Sequence, residues 1–270
     1  MYLADYHIHS RVSPDARNPM EELANAAIAA GMNEICFTDH VEPVFWGTAD
    51  LCPAYDWAPL EAEFRLAKAA VGDQIKLRMG IELGDAPLNL AWCEDALERA
   101  PKELDFVIGS IHMLSEAYDC TDLYYFAPKT DDEARAGIAD YLRRVKALAQ
   151  WGKFSVLGHL TLPLRWLNEH KGFRLTFDGF EDEVEEIFRL LIEKGCGIEV
   201  NTNRGNTPLP DEKWLRMYRE LGGEIITLGT DAHTPNFVGC AIAERQELLR
   251  RCGFKYFCTF ERMKPIWQEL

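Results

Sequence analysis

The chain has 270 residues, 47% of them hydrophobic, enough for one large core and a common length for single-domain α/β barrels. Its formal net charge of −15 argues against nucleic acid as a partner, because gripping a phosphate backbone takes clustered Lys and Arg. Small substrates are favoured over polymers, and bound metal ions would leave an active site more positive than the overall charge implies.

Taken in chain order, a strand is predicted over Leu3–His9. A helix follows: Asn18 can cap it, Pro19 suits its first turn, Leu23, Ala27 and Ile28 form an apolar stripe, and Gly31 suits the residue just past its end. Strands are then predicted at Glu34–His40, Ile75–Gly84, Phe106–Met113 and Phe154–Leu160. A second clear helix runs from about Asp178 to Lys194, where Phe180, Val184, Ile187, Phe188 and Leu191 repeat with the 3.6-residue period and Gly195 ends it. Gly197–Thr202 and Glu224–Asp231 complete seven strands, and Lys255–Thr259 is a short eighth candidate.

Apolar segments alternating with helical ones are the pattern of βα units around a parallel sheet. No linker or low-complexity run divides the chain, so residues 1–270 are expected to form one catalytic domain. Two long loops, Val41–Trp57 and Leu114–Thr130, are rich in Trp, Tyr and Phe, and serve either as lids and specificity elements or as packing over the barrel mouth. No segment approaches the roughly 20 apolar residues of a membrane span, and the N-terminus lacks a secretory pattern, so a cytoplasmic protein without membrane association is expected. The eight cysteines form no C-x-x-C pair or compact cluster, which argues against a disulfide framework.

Six of the seven histidines fall at predicted strand ends: His7, His9, His40, His112, His159 and His233. His170, in a polar stretch, reads as a surface residue. Side chains two apart on a strand share a face, so His7-Ile8-His9 and Asp231-Ala232-His233 each aim two ligands the same way. Glu82 ends its strand, with Gly80 and Gly84 leaving room around its carboxylate. In a parallel barrel the carboxyl ends of all strands meet on one rim, where active sites of this architecture lie. A mixed imidazole and carboxylate set suits Zn, Fe or Mn, and so many ligands exceed the needs of one ion.

The motifs His7-x-His9, Thr38-Asp39-His40, Glu82, His112, Gly158-His159 and Gly229-Thr230-Asp231-x-His233 resemble the polymerase and histidinol phosphatase (PHP) family over nearly the whole chain. Asp5-Tyr6-His7-Ile8-His9-Ser10, Gly109-Ser110-Ile111-His112 and Glu199-Val200-Asn201-Thr202 are most similar to its monofunctional histidinol-phosphate phosphatases. The resemblance implies a distorted (β/α)7 TIM-like barrel holding three divalent transition-metal ions. It implies one ion on His7, His9, Glu82 and Asp231, a second on Glu82, His112 and His159, and a third on Asp15, His40 and His233. Glu82 would bridge ions, and Glu82, Asp231 and His233 would be the catalytic residues. Asp15 reads equally well as a turn residue after Pro14, and Asp39 as structural.

Arg165 and Arg204 match positions expected to hold phosphate, with Arg11 and Arg17 as weaker candidates; the planar guanidinium fork suits two phosphate oxygens. The expected reaction is hydrolysis of L-histidinol phosphate by metal-activated hydroxide, with a small phosphorylated substrate entering and inorganic phosphate leaving. Alternatives are another small phosphoester, such as a nucleotide or sugar phosphate, a polymerase-associated module, or a metal-binding protein without turnover.

Overall fold

The computed structural model describes residues 1–270. Seven parallel strands form one sheet in chain order: β1 (Ala4–Ile8), β2 (Glu34–Val41), β3 (Lys76–Gly84), β4 (Leu104–Ser110), β5 (Val156–Leu157), β6 (Gly197–Asn201) and β7 (Ile226–Gly229). The chain leaving β7 returns to β1: the Asp231 N–H donates to the His7 carbonyl at 2.8 Å and the His9 N–H to the Ala232 carbonyl at 2.9 Å. With helices between the strands, this closes the distorted (β/α)7 TIM-like barrel expected from the sequence.

The helices are α1 (Met20–Ala29), α2 (Ala58–Val71), α3 (Leu90–Glu98), α4 (Asp131–Trp151), the single turn α5 (Leu162–Leu164), α6 (Glu181–Lys194), α7 (Glu212–Glu220) and α8 (Ile242–Arg251). None is long and apolar enough to cross a membrane. The α4 helix starts where the Thr130 hydroxyl accepts the Glu133 N–H, with three acidic residues in its first turn facing the positive end of the helix dipole. Its end at Gly152, and that of α6 at Gly195, fall on left-handed glycines.

Several boundaries differ from expectation for local reasons. Asn18 does not cap α1: Pro19 occupies the boundary, and the Asn18 amide donates instead to Glu22. The second predicted helix begins at Glu181, because Gly179 at φ 88° turns the chain first. The β4 strand stops at Ser110, so His112 lies beyond it, its backbone N–H held by the Asp85 carboxylate at 3.2 Å. The β5 strand is only two residues long, because the chain turns at His159, whose φ is +21°.

The eighth candidate strand is not in the barrel. It is β8 (Tyr256–Glu261), paired antiparallel with β9 (Lys264–Glu269), which the sequence reading missed. This hairpin packs against the strand ends opposite the histidine rim. The Phe260 N–H donates to the Tyr6 hydroxyl at 2.8 Å, and the N–H groups of Arg262 and Met263 donate to the Asp105 side chain and carbonyl, at the start of β4. A continuous cluster of 70 buried hydrophobic residues runs from β1 to β8, so the hairpin shares the barrel's core. All eight cysteines are unpaired.

Behind the His112 loop lies a buried ion pair. Arg144 on α4 sits 3.0 Å from Asp85 and donates to the carbonyls of Met113 and Leu114. Replacing Arg144 by Ala leaves a buried carboxylate without its partner, so chemical denaturation is expected to record a loss of about 3–5 kcal/mol. A loss below about 1 kcal/mol, the scale of a surface ion pair, would contradict this role.

Candidate metal centre and phosphate pocket

The strands and the segments that leave their carboxyl ends bring the predicted residues to one end of the barrel. His7 on β1 and His9, one residue past its end, stand with ring centroids 5.0 Å apart. Glu82, 1% exposed near the end of β3, stands at the centre of the group. Its Oε2 lies 3.3 Å from His7 Nε2, 3.4 Å from His9 Nε2 and 3.2 Å from His40 Nδ1. Its Oε1 faces His112 Nε2 at 3.2 Å and His159 Nε2 at 2.9 Å, and accepts the Ser110 hydroxyl at 2.6 Å. Gly158 provides the room, since a Cβ there would meet Ser110 Oγ at 2.5 Å.

Asp231 reaches the same group from the other side, with Oδ1 3.4 Å from His9 Nε2, 3.7 Å from His7 Nε2 and 3.6 Å from His233 Nδ1. Asp15, although on a loop, sits 2.8 Å from His233 Nε2 and 3.6 Å from His40 Nε2. The His9 ring stacks on those of His40 and His233, each at 4.3 Å. All nine residues named from the sequence as ligands therefore converge. His170 does not: it is exposed and tilts against Trp166. Asp39 is buried and accepts from the backbone and hydroxyls of Ser10 and Ser13, which makes it a loop anchor.

The electrostatics of this group call for cations. Burial opposes ionisation of Glu82, but His7, His112 and His40 overcome it and hold the carboxyl well below its usual range. Burial likewise opposes ionisation of Asp231, and His7, the His9 contact and Arg165 outweigh it. His7 and His112 are pushed well above the normal imidazole range despite their burial, by Glu199, Glu82 and Asp231 around the first and by Glu82 and Glu42 around the second. His9 goes the other way: burial, then His233 and His40, lower it to about 3, which keeps its ring neutral and its lone pair available.

The donor atoms fit metal ions. His7 Nε2, His9 Nε2, His40 Nδ1 and His159 Nδ1 are buried without hydrogen-bond partners. An orphaned buried polar atom costs about 1–3 kcal/mol, and three of these, His7 Nε2, His9 Nε2 and His40 Nδ1, face Glu82 Oε2 as donors around an ion would. Ligand atoms of His7, His9 and Glu82 lie within 4.8 Å of one another, as do those of His9, His40 and His233, and of His40, Glu82 and His112.

A cavity of about 440 Å³ opens over this group. Both predicted arginines line it. Arg165, just past α5 and 9% exposed, donates to Asp231 at 2.7 Å and to Asn201 and Asn203 at 2.8 Å each. Arg204 is exposed, and its guanidinium lies 4.8 Å over the Phe237 ring. The weaker candidates fall outside: Arg11 is paired with Glu63 at 2.7 Å, and neither it nor Arg17 lines the cavity. The two aromatic loops divide their labour. Trp46, Tyr124 and Tyr125 line the cavity, whereas Trp57 is buried with its indole donating to the Ala96 carbonyl.

Two residues at this site were given no role from the sequence, although Glu199 belongs to a motif of the resemblance. Glu42 lies 3.3 Å from His112 Nδ1 and 3.5 Å from His40 Nδ1; a Cβ on Gly84 would meet its carboxylate at 2.1 Å. Its signal was the two-residue spacing from His40, which aims both side chains the same way as the chain leaves β2 at Val41. Glu199 lies 2.6 Å from His7 Nδ1, and its alternation with Asn201 on β6 was the available sign.

A closed parallel barrel with a rim of imidazoles and carboxylates under an arginine-lined cavity defines a metal-site α/β-barrel protein. The PHP domain model matches residues 5–203, and the chain belongs to the PHP domain family. The histidinol-phosphatase of Lactococcus lactis subsp. lactis is 31% identical over 271 residues, covering 96% of this chain and 95% of that protein. A Thermotoga maritima relative bearing the name "Probable histidinol-phosphatase" is 26% identical across 95% of each chain. Among solved structures, histidinol phosphate phosphatase from Lactococcus lactis, complexed with zinc, L-histidinol and phosphate, superimposes with a TM-score of 0.79 at 29% identity, covering 98% of both chains.

Proposed function

We propose that this chain is a metal-dependent phosphomonoesterase that hydrolyses L-histidinol phosphate to L-histidinol and inorganic phosphate. The observation that carries the reading is Glu82, a buried carboxylate ringed by five imidazoles within 3.4 Å at the floor of a cavity lined by Arg165 and Arg204. The full-length relationship to the Lactococcus lactis histidinol-phosphatase supports the substrate assignment.

Three divalent ions, zinc, iron or manganese, would be held by the sets His7, His9, Glu82 and Asp231; Glu82, His112 and His159; and Asp15, His40 and His233. When bound, such ions supply the Lewis-acid charge that activates water and neutralises charge gathering on the phosphoryl oxygens. Arg204, free of carboxylate partners within 4.0 Å, offers its fork to phosphate oxygens, and Arg165 backs it from a fixed position. Asp231 and His233 both line the cavity, where they would place the ions they help to hold beside the ester. Trp46, Tyr124 and Trp166 line the cavity together with the carboxylate residue Asp122. That combination suits a leaving group with a flat ring and a positive charge better than a sugar.

The test is a phosphate-release panel with Zn²⁺, Mn²⁺ or Fe²⁺ supplied. Histidinol phosphate is expected to have the highest kcat/KM, with nucleotides and sugar phosphates well below it. A nucleotide or sugar phosphate at the top of the panel would overturn the substrate assignment and leave the phosphatase chemistry intact.

A further inference from the structure

Glu199 contacts two of the proposed ligands without lining the cavity. It sits on β6, 1% exposed. Its Oε1 reaches across β7 to lie 2.6 Å from His7 Nδ1, while its Oε2 accepts the backbone N–H of His159 at 2.8 Å and the Asn201 amide at 3.4 Å. The reach to β1 depends on Gly229: a Cβ there would stand 2.2 Å from Glu199 Oε1 and 2.5 Å from His7 Cβ. The His159 backbone needs a tether, because a φ of +21° is a conformation that residues with a Cβ resist.

We propose that Glu199 is a positioning residue of the metal centre, orienting His7 through its ring and His159 through its backbone. This rests on the metal-dependent reading above. A neutral imidazole carries one N–H and one lone pair, so a carboxylate acceptor at Nδ1 selects the tautomer that leaves the lone pair on Nε2. In His7 that Nε2 is the buried atom without a hydrogen-bond partner, aimed at Glu82 and Asp231 at 3.3 and 3.7 Å. The second contact fixes the turn from which His159 Nε2 reaches the other Glu82 oxygen at 2.9 Å. One side chain thereby sets ligands on both sides of the proposed bridge. Only a carboxylate can do so, because both donors need an acceptor oxygen and the side-chain amide of Gln has one.

The experiment compares wild type with Glu199→Gln by Zn²⁺ competition against a chromophoric chelator, alongside circular dichroism. Zn²⁺ affinity should fall by about 10- to 100-fold in a variant that remains folded, the usual cost of losing the partner behind a metal-binding histidine. Unchanged affinity with only a lower unfolding temperature would overturn the proposal and reduce Glu199 to a structural cross-link. A second measurement needs no variant: ¹⁵N-histidine spectra of Zn²⁺-loaded wild type should show His7 protonated at Nδ1, and protonation at Nε2 would overturn it. Neither readout uses a substrate. An inactive protein with the expected shifts would therefore sink the histidinol phosphate reading alone, and an active one without them would sink only the role of Glu199.

Discussion

Glu82→Gln is expected to lower turnover of histidinol phosphate by at least about 10²–10³-fold, the scale of deleting one preorganised electrostatic contact in an active site. The substitution hardly changes volume, so its effect is one of charge. The carboxylate is held ionised against its own burial by His7, His112 and His40, and an amide cannot answer those imidazoles or bridge two cations. Circular dichroism should still report a folded barrel, because the residues packed under the rim are untouched. Near-normal turnover in a metal-loaded Glu82→Gln protein would exclude the bridging role.

Arg165→Ala and Arg204→Ala separate a phosphatase from a generic metallohydrolase. Each should weaken kcat/KM by about 2–4 kcal/mol, as expected when a hydrogen-bonded charge is removed from a desolvated contact. The two are not equivalent. Arg165 is buried and clasped by Asn201, Asn203 and Asp231, so it belongs at the upper end of that range; Arg204 is exposed and belongs at the lower end. A contact that tightens in the transition state lowers kcat as well as raising KM. Inorganic phosphate should inhibit both variants less than the parent, and Arg204→Ala should keep its full metal content, since a guanidinium does not ligate cations. Normal kinetics with normal phosphate inhibition in both variants would show that these are ion-pair and stacking residues alone.

The barrel and the convergence of its rim were legible because both follow from short-range rules. Alternation along a strand pairs His7 with His9, and a parallel closed sheet brings all carboxyl ends together whatever their distance in sequence. Features that depend on where a strand stops were harder to read. The sequence predicts an end to β2 at His40; the strand runs to Val41, and Glu42, one residue past it, keeps the extended spacing that turns it towards His40. The sequence predicts a longer β5 than the structure has, because nothing in Leu157-Gly158-His159 announces a positive φ at a histidine. The contact between Arg165 and Asp231, 66 positions apart, joins the segments that follow β5 and β7, and residue spacing holds no sign of it. The β9 strand escaped notice because Pro265 interrupts it and Ile266 and Trp267 are both exposed, so it lacks the alternation of a half-buried strand.

The most direct measurement is to strip the protein with chelator, add back Zn²⁺, Mn²⁺ or Fe²⁺ in steps, and record both ions bound per chain and phosphate released from histidinol phosphate. Nine converging ligands exceed what one tetrahedral or octahedral ion can use. The stripped protein should be inactive, and turnover should rise to its maximum only as more than one ion per chain is bound. Full turnover in the metal-free protein, or a maximum reached with a single ion per chain, would contradict a multinuclear metal centre as the seat of the reaction.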